Sequence, residues 1–171
     1  MAAQITVYFN HGKESGPWGS KIKALAAVAR DYGLAVESPD YQFTYDPDER
    51  LRYLIGTEPP SGQRLILVGS SMGGYVAAHA SERLTPAGLF LMAPALAMPG
   101  YPKEPQANSD AIEVIHGWDD AIVPIANSWR FAATHRAALH CLDDGHDLRH
   151  QLDRISRLFD DFLARVLGKH S

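Results

Sequence analysis

The chain has a single cysteine, Cys141, among its 171 residues. An internal disulfide is therefore impossible, nothing requires an oxidising compartment, and Cys141, set in the last predicted strand, reads as a buried, inert thiol. No apolar run approaches the length of a membrane span, and Met1–Gln4 lacks the basic start and apolar stretch of a secretory leader. A cytoplasmic location without membrane contact is expected. Long basic runs are missing too: 16 Lys and Arg against 20 Asp and Glu give a formal charge of −4, which argues against nucleic-acid partners. The 8 histidines show no H-E-x-x-H motif, so no metal is expected. Gly12, Gly16 and Gly19 are too widely spaced, and Pro17 and Trp18 too intrusive, for a phosphate cradle. No cofactor is implied. Repeats, low-complexity tracts and dividing linkers are absent, so residues 1–171 are expected to form one domain, and 46% hydrophobic residues suffice for one core.

What is present is an alternation of short apolar runs with helical patterns. Strands are predicted over Ile5–Phe9, Ala35–Ser38, Arg64–Val68, Ala87–Met92, Ile112–His116 and Ala138–Leu142. Helices are predicted over Ser20–Tyr32, Pro47–Ile55, Met72–Arg83, Ile125–Arg136 and Leu148–Leu167. Gly33 suits a helix C-terminus, Asp46-Pro47 a helix start, and Gly168 the close of the last helix. In that helix Leu148, Leu152, Ile155, Leu158, Phe159, Phe162 and Leu163 recur at three- and four-residue spacing and should pack on the sheet. The alternation implies an α/β fold, a mostly parallel sheet covered on both faces.

The chemistry is concentrated at Gly69-Ser70-Ser71-Met72-Gly73, directly after Leu65-Ile66-Leu67-Val68 and before a helical stretch. A G-x-S-x-G turn between strand and helix is so sharp that small residues must flank the serine, which it pushes out at the end of the sheet. Ser71 is the candidate nucleophile, and Ser70 a packing residue beneath it. A serine hydroxyl needs a base in hydrogen-bond reach, and the base needs an acid to orient it. Downstream, His116-Gly117-Trp118-Asp119-Asp120 offers an acidic pair in a turn, and Gly145-His146 a histidine after the last strand. The order serine, acid, histidine differs from that of the unrelated serine protease folds.

These residues, with Asn10-His11-Gly12 after the first strand and Val123-Pro124 after the acids, resemble the α/β-hydrolase superfamily, and within it the short, nearly cap-less serine esterases. The resemblance runs from Val7 to about Leu167. It implies a three-layer α/β/α sandwich of about six strands without the usual leading antiparallel pair. The family pattern sets the acid three residues before Val-Pro, which selects Asp120 and leaves Asp119 a solvated turn residue. It also implies backbone oxyanion donors at Met72 and, after the first strand, at Lys13. His11 would brace its own loop, His116 would be structural, and His79, His135, His140, His150 and His170 would have surface or core roles.

Larger relatives insert a helical cap where this chain has the proline-broken stretch 93–110, so the site should be open, with only a flap from that loop and from Tyr41–Tyr45. His11, Gly12, Tyr41, Leu96 and Met98 are candidate substrate contacts. The expected activity is hydrolysis of a carboxylic ester or thioester with a small or medium acyl group. Peptidase and dienelactone-type activities are runners-up, the latter disfavoured because those relatives place cysteine where Ser71 stands. The alternative class is a non-catalytic or weakly active interaction protein on the same scaffold. Oligomeric state is open.

Overall fold

The computed structural model describes residues 4–168; Met1–Ala3 and His170, for which a surface or core role is expected, lie outside the described residues. Six strands, β1 (Thr6–Asn10), β2 (Ala35–Glu37), β3 (Leu65–Ser70), β4 (Gly88–Met92), β5 (Ile112–Gly117) and β6 (Ala138–Leu142), form one sheet in the order β2-β1-β3-β4-β5-β6. All neighbours pair in parallel. The helices are α1 (Ser20–Asp31), α2 (Pro47–Gly56), α3 (Met72–Leu84), α4 (Ile125–His135) and α5 (Leu152–Gly168). The fold is a minimal α/β-hydrolase fold, a three-layer α/β/α sandwich.

Period-two alternation in the strands divides the core. Val7, Phe9, Ile66, Val68, Phe90 and Met92 share a cluster with α1 and α5 residues, including Leu25, Phe159 and Phe162. Leu65, Leu67, Leu89, Leu91 and Val114 cluster with Leu54 of α2, Tyr75 of α3 and Phe131 of α4. Each fully buried side chain of this kind contributes about 1.5–3 kcal/mol relative to exposure. The central strand β3 is buried along its whole length, and Ser71 follows directly where it ends.

One boundary and one burial correct the sequence reading. The last helix begins at Leu152, not Leu148, because Leu148 adopts a left-handed φ of +57° and residues 149–151 form a 3-10 turn. Asp144 is the physical cause: its Oδ2 accepts from the backbone N–H of His150 (2.7 Å) and Gln151 (3.1 Å), which caps the turn ahead of α5. Leu148 is still buried in the core, but from the loop. Cys141 is half-buried rather than buried, since β6 is an edge strand; burial nevertheless raises its thiol pKa. At α2 the expected cap is present, with Asp46 Oδ1 accepting from the Asp48 and Glu49 amides, an arrangement typically worth about 1 kcal/mol. The stretch 93–110 contains no helix and no strand, so no cap covers the sheet's carboxyl end.

Candidate active site

Ser71 stands at the turn between β3 and α3 with φ +54° and ψ −116°, a conformation costing of order 1–3 kcal/mol for a residue with a side chain. The turn survives because its neighbours are small. A Cβ on Gly69 would collide with the Gly73 carbonyl, and one on Gly73 with the Asn10 carbonyl. The Ser71 amide donates to Met92 O of β4 (3.0 Å), and Ser71 O accepts from Ala95 (2.9 Å), so the flap's first residues fasten the elbow.

Three loop ends converge there. His146 Nε2 is 2.9 Å from Ser71 Oγ, and His146 Nδ1 is 2.7 Å from Asp120 Oδ2. With Nδ1–H donating to the carboxylate, Nε2 is the acceptor facing the serine hydroxyl. The turn carrying Asp120 and the loop carrying His146 can meet because Gly117 has no side chain: a Cβ would strike the Asp144 carbonyl. The Asp120 side chain is fully buried, whereas that of His146 keeps 20% exposure, enough to meet a ligand. Burial alone would raise the Asp120 pKa, but hydrogen bonds from His146 and from the Val123 and Ile122 amides, both 2.8 Å from Oδ1, leave it below the usual carboxylate value. Asp119 is exposed.

The loop after β1 closes the other side. Gly12 packs against the Ser71 side chain, and a Cβ there would lie 3.7 Å from Ser71 Cβ. His11 is buried, with Nε2 accepting from the Tyr41 amide (2.9 Å) and Nδ1 donating to Gly12 O (2.8 Å). Burial lowers its pKa, and both ring nitrogens are taken up by backbone groups of its own surroundings. Met72 opens α3, and among the described residues neither its N–H nor that of Lys13 donates to a protein acceptor.

A pocket of about 240 Å³ borders the elbow at Ser70, lined by His11, Gly12, Ser15, Lys21, Asp147 and Leu152 among others. Lys21 Nζ donates to Asp147 O (3.0 Å); burial lowers its pKa, opposed by the charges of Asp147, Asp144 and Asp120. Three of the candidate substrate contacts are not brought to this place. Tyr41 is fully buried, its hydroxyl donating to Asn10 Oδ1 (2.6 Å), so it supports the loop from beneath instead of forming a flap. Leu96 lines a separate pocket of about 100 Å³ with Asn127 and Phe131. Met98 is half-buried and lines neither pocket.

Sequence reasoning missed Asp144, which holds the His146 loop, and the closeness of His116 to the acid. His116 Nε2 donates to Val123 O (2.9 Å) and lies 3.1 Å from Asp120 Oδ2, while Nδ1 accepts from Ser128 Oγ (2.7 Å). It missed Arg50 as well, although a charged residue recurring with Pro47 and Leu54 on the buried face of α2 is a readable signal.

Residues 8–169 match the alpha/beta hydrolase family. A Xanthomonas campestris pv. campestris protein assigned to the alpha/beta hydrolase superfamily is 32% identical, with a TM-score of 0.84, over 95% of this chain and 99% of that one. The ydeN gene product of B. subtilis has a TM-score of 0.81 at 19% identity, over 96% of this chain and 100% of that one. Est1E from Butyrivibrio proteoclasticus has a TM-score of 0.75 at 15% identity, over 97% and 89%. The last two likenesses are of fold. No curated protein matches the chain. Strand order, elbow and family match agree over nearly the whole length, and the chain belongs to the alpha/beta hydrolase family.

Proposed function

We propose that the protein is a serine hydrolase cleaving carboxylic esters or thioesters with a small or medium acyl group through an acyl-enzyme intermediate. The observation that carries this reading is the continuous line Ser71 Oγ, His146 Nε2, His146 Nδ1, Asp120 Oδ2, with links of 2.9 and 2.7 Å at a strained elbow.

In this mechanism Ser71 Oγ attacks the carbonyl carbon as its proton passes to His146 Nε2. Asp120 remains ionised, holds the imidazole tautomer and stabilises the imidazolium. The oxygen that gains charge is received by the Met72 N–H at the start of α3 and by the Lys13 N–H; one such donor typically supplies roughly 100- to 1,000-fold in turnover. His146 then returns the proton to the leaving oxygen or sulfur. The same histidine activates a water, which attacks the acyl carbon and releases the acid with Ser71 restored.

The pocket beside the elbow, at about 240 Å³, is smaller than the roughly 300–1,000 Å³ of typical ligand sites, which supports a small substrate group. Steady-state hydrolysis of p-nitrophenyl acetate is the test. Turnover by the wild type and its loss in a folded Ser71→Ala variant are expected; equal rates for the two would reject the assignment.

A further inference from the structure

Three consecutive carbonyls of the loop after β1 converge on one side chain. Arg50 of α2 donates from Nη1 to His11 O (3.2 Å) and Gly12 O (3.0 Å), and from Nη2 to Lys13 O (3.3 Å). Its Nε donates to Thr44 O (3.0 Å). The residue is fully buried, and among the described residues no carboxylate forms an ion pair with it. Burial pulls its pKa down, yet a guanidinium remains protonated at any working pH. A buried cation served by carbonyl dipoles and by the Tyr41 ring, 5.7 Å from its centroid, with no carboxylate beside it, is an expensive way to fill space. Its cost is understandable if the contacts themselves are required.

We propose that Arg50 is a positioning residue of the oxyanion hole, holding the carbonyls of His11, Gly12 and Lys13 on one side of the loop so that the Lys13 N–H faces Ser71. The inference rests on the hydrolase reading above. Its physical basis is the planar trans peptide, in which C=O and the following N–H point in opposite directions. No peptide bond in the described chain is cis. Gly12 O and Lys13 N–H belong to one such plane, and Gly12 O is held by both Arg50 Nη1 and His11 Nδ1. Fixing that oxygen fixes the N–H on the opposite side, where Gly12 meets Ser71. A glycine plane would otherwise rotate cheaply and take the donor out of the hole. The guanidinium also leaves a positive charge behind the loop, which favours negative charge in front of it in a water-poor setting.

Arg50 touches neither substrate nor nucleophile in this account, so its loss should appear in turnover and not in ground-state binding. Arg50→Gln and Arg50→Lys are compared with wild type for p-nitrophenyl acetate kinetics, for inhibition by an alkyl trifluoromethyl ketone, whose serine adduct places an oxyanion in the hole, and for melting temperature. Arg50→Gln should lose about 10- to 100-fold in kcat with KM changed by less than about threefold, and the ketone Ki should rise by the same factor as kcat/KM falls. Arg50→Lys, which keeps the charge and part of the carbonyl contacts, should fall between. Folded variants with unchanged kcat and Ki, or with the loss confined to KM, would overturn the inference. If Arg50→Gln does not fold, Arg50→Lys decides by the same two criteria. A wild type that neither turns over nor binds the ketone overturns the hydrolase reading, and this inference with it; an active wild type with unaffected variants overturns the inference alone.

Discussion

His116 Nε2 and His146 Nδ1 address the same oxygen, Asp120 Oδ2, at 3.1 and 2.7 Å. The acid is therefore shared between a buried histidine that stays neutral, its pKa lowered chiefly by burial, and the half-buried one that faces Ser71. Replacing His116 by Phe keeps a ring in the space and removes the polar Nε2 edge from beside the carboxylate. Asp120 then draws harder on the remaining partner, so the acid limb of the kcat/KM profile should move to higher pH. Ser128 and Val123 O also lose their partner, which should cost about 1–3 kcal/mol of stability. An unmoved acid limb in folded H116F would show that His116 only fills the turn.

The neighbouring acids separate cleanly by substitution. Asp120→Asn replaces an acceptor with a donor toward His146 Nδ1 and favours the wrong tautomer, so turnover should fall by up to about 10,000-fold. Asp119 is exposed and should tolerate the same change with little effect. Steady-state kinetics on both variants decide the point, and a reversed order would transfer the role to Asp119.

Acyl-chain preference follows from the open site. Each methylene transferred from water is worth about 0.8 kcal/mol, but only while walls remain to cover it. Between acetate and palmitate p-nitrophenyl esters, kcat/KM should rise over the first few carbons and then level off. A continued rise to long chains would require an apolar tunnel absent from the described residues.

Stability should fall with acid in a defined window. His11 and His116 have folded pKa values below the ordinary 6.5, so the unfolded chain takes up protons first as pH drops past that value. Stability contributed by the neutral rings is complete above about pH 6.5 and is lost below it, down to their folded pKa values. Asp120 and Asp144, both lowered, add a further loss at more acid pH. Melting temperature from pH 8 to pH 4 checks this; a plateau from 7 down to 5 would contradict it.

The elements that frame the candidate site were legible because each has a local physical cause. The Gly69–Gly73 turn, the Asp46 cap and the period-two strands all announce themselves over a few residues. Asp120 was separable from Asp119 only by its distance from Val123-Pro124, and the structure gives the reason: the Ile122 and Val123 amides close onto Asp120 Oδ1. Tyr41 and Arg50 were misread or unseen because their partners, Asn10 and the carbonyls of residues 11–13, lie about 30 to 40 positions away in sequence. The start of α5 was misplaced for a similar reason, since apolar spacing continues through Leu148 while Asp144 sets the backbone.

The most direct measurement is the reaction of the folded protein with a fluorophosphonate, located by peptide mass spectrometry. An activated serine should give one adduct, on the peptide containing Ser71, at a rate that falls sharply in Asp120→Asn and vanishes in Ser71→Ala. An unlabelled wild type, or an adduct that persists at another residue in Ser71→Ala, would contradict the account.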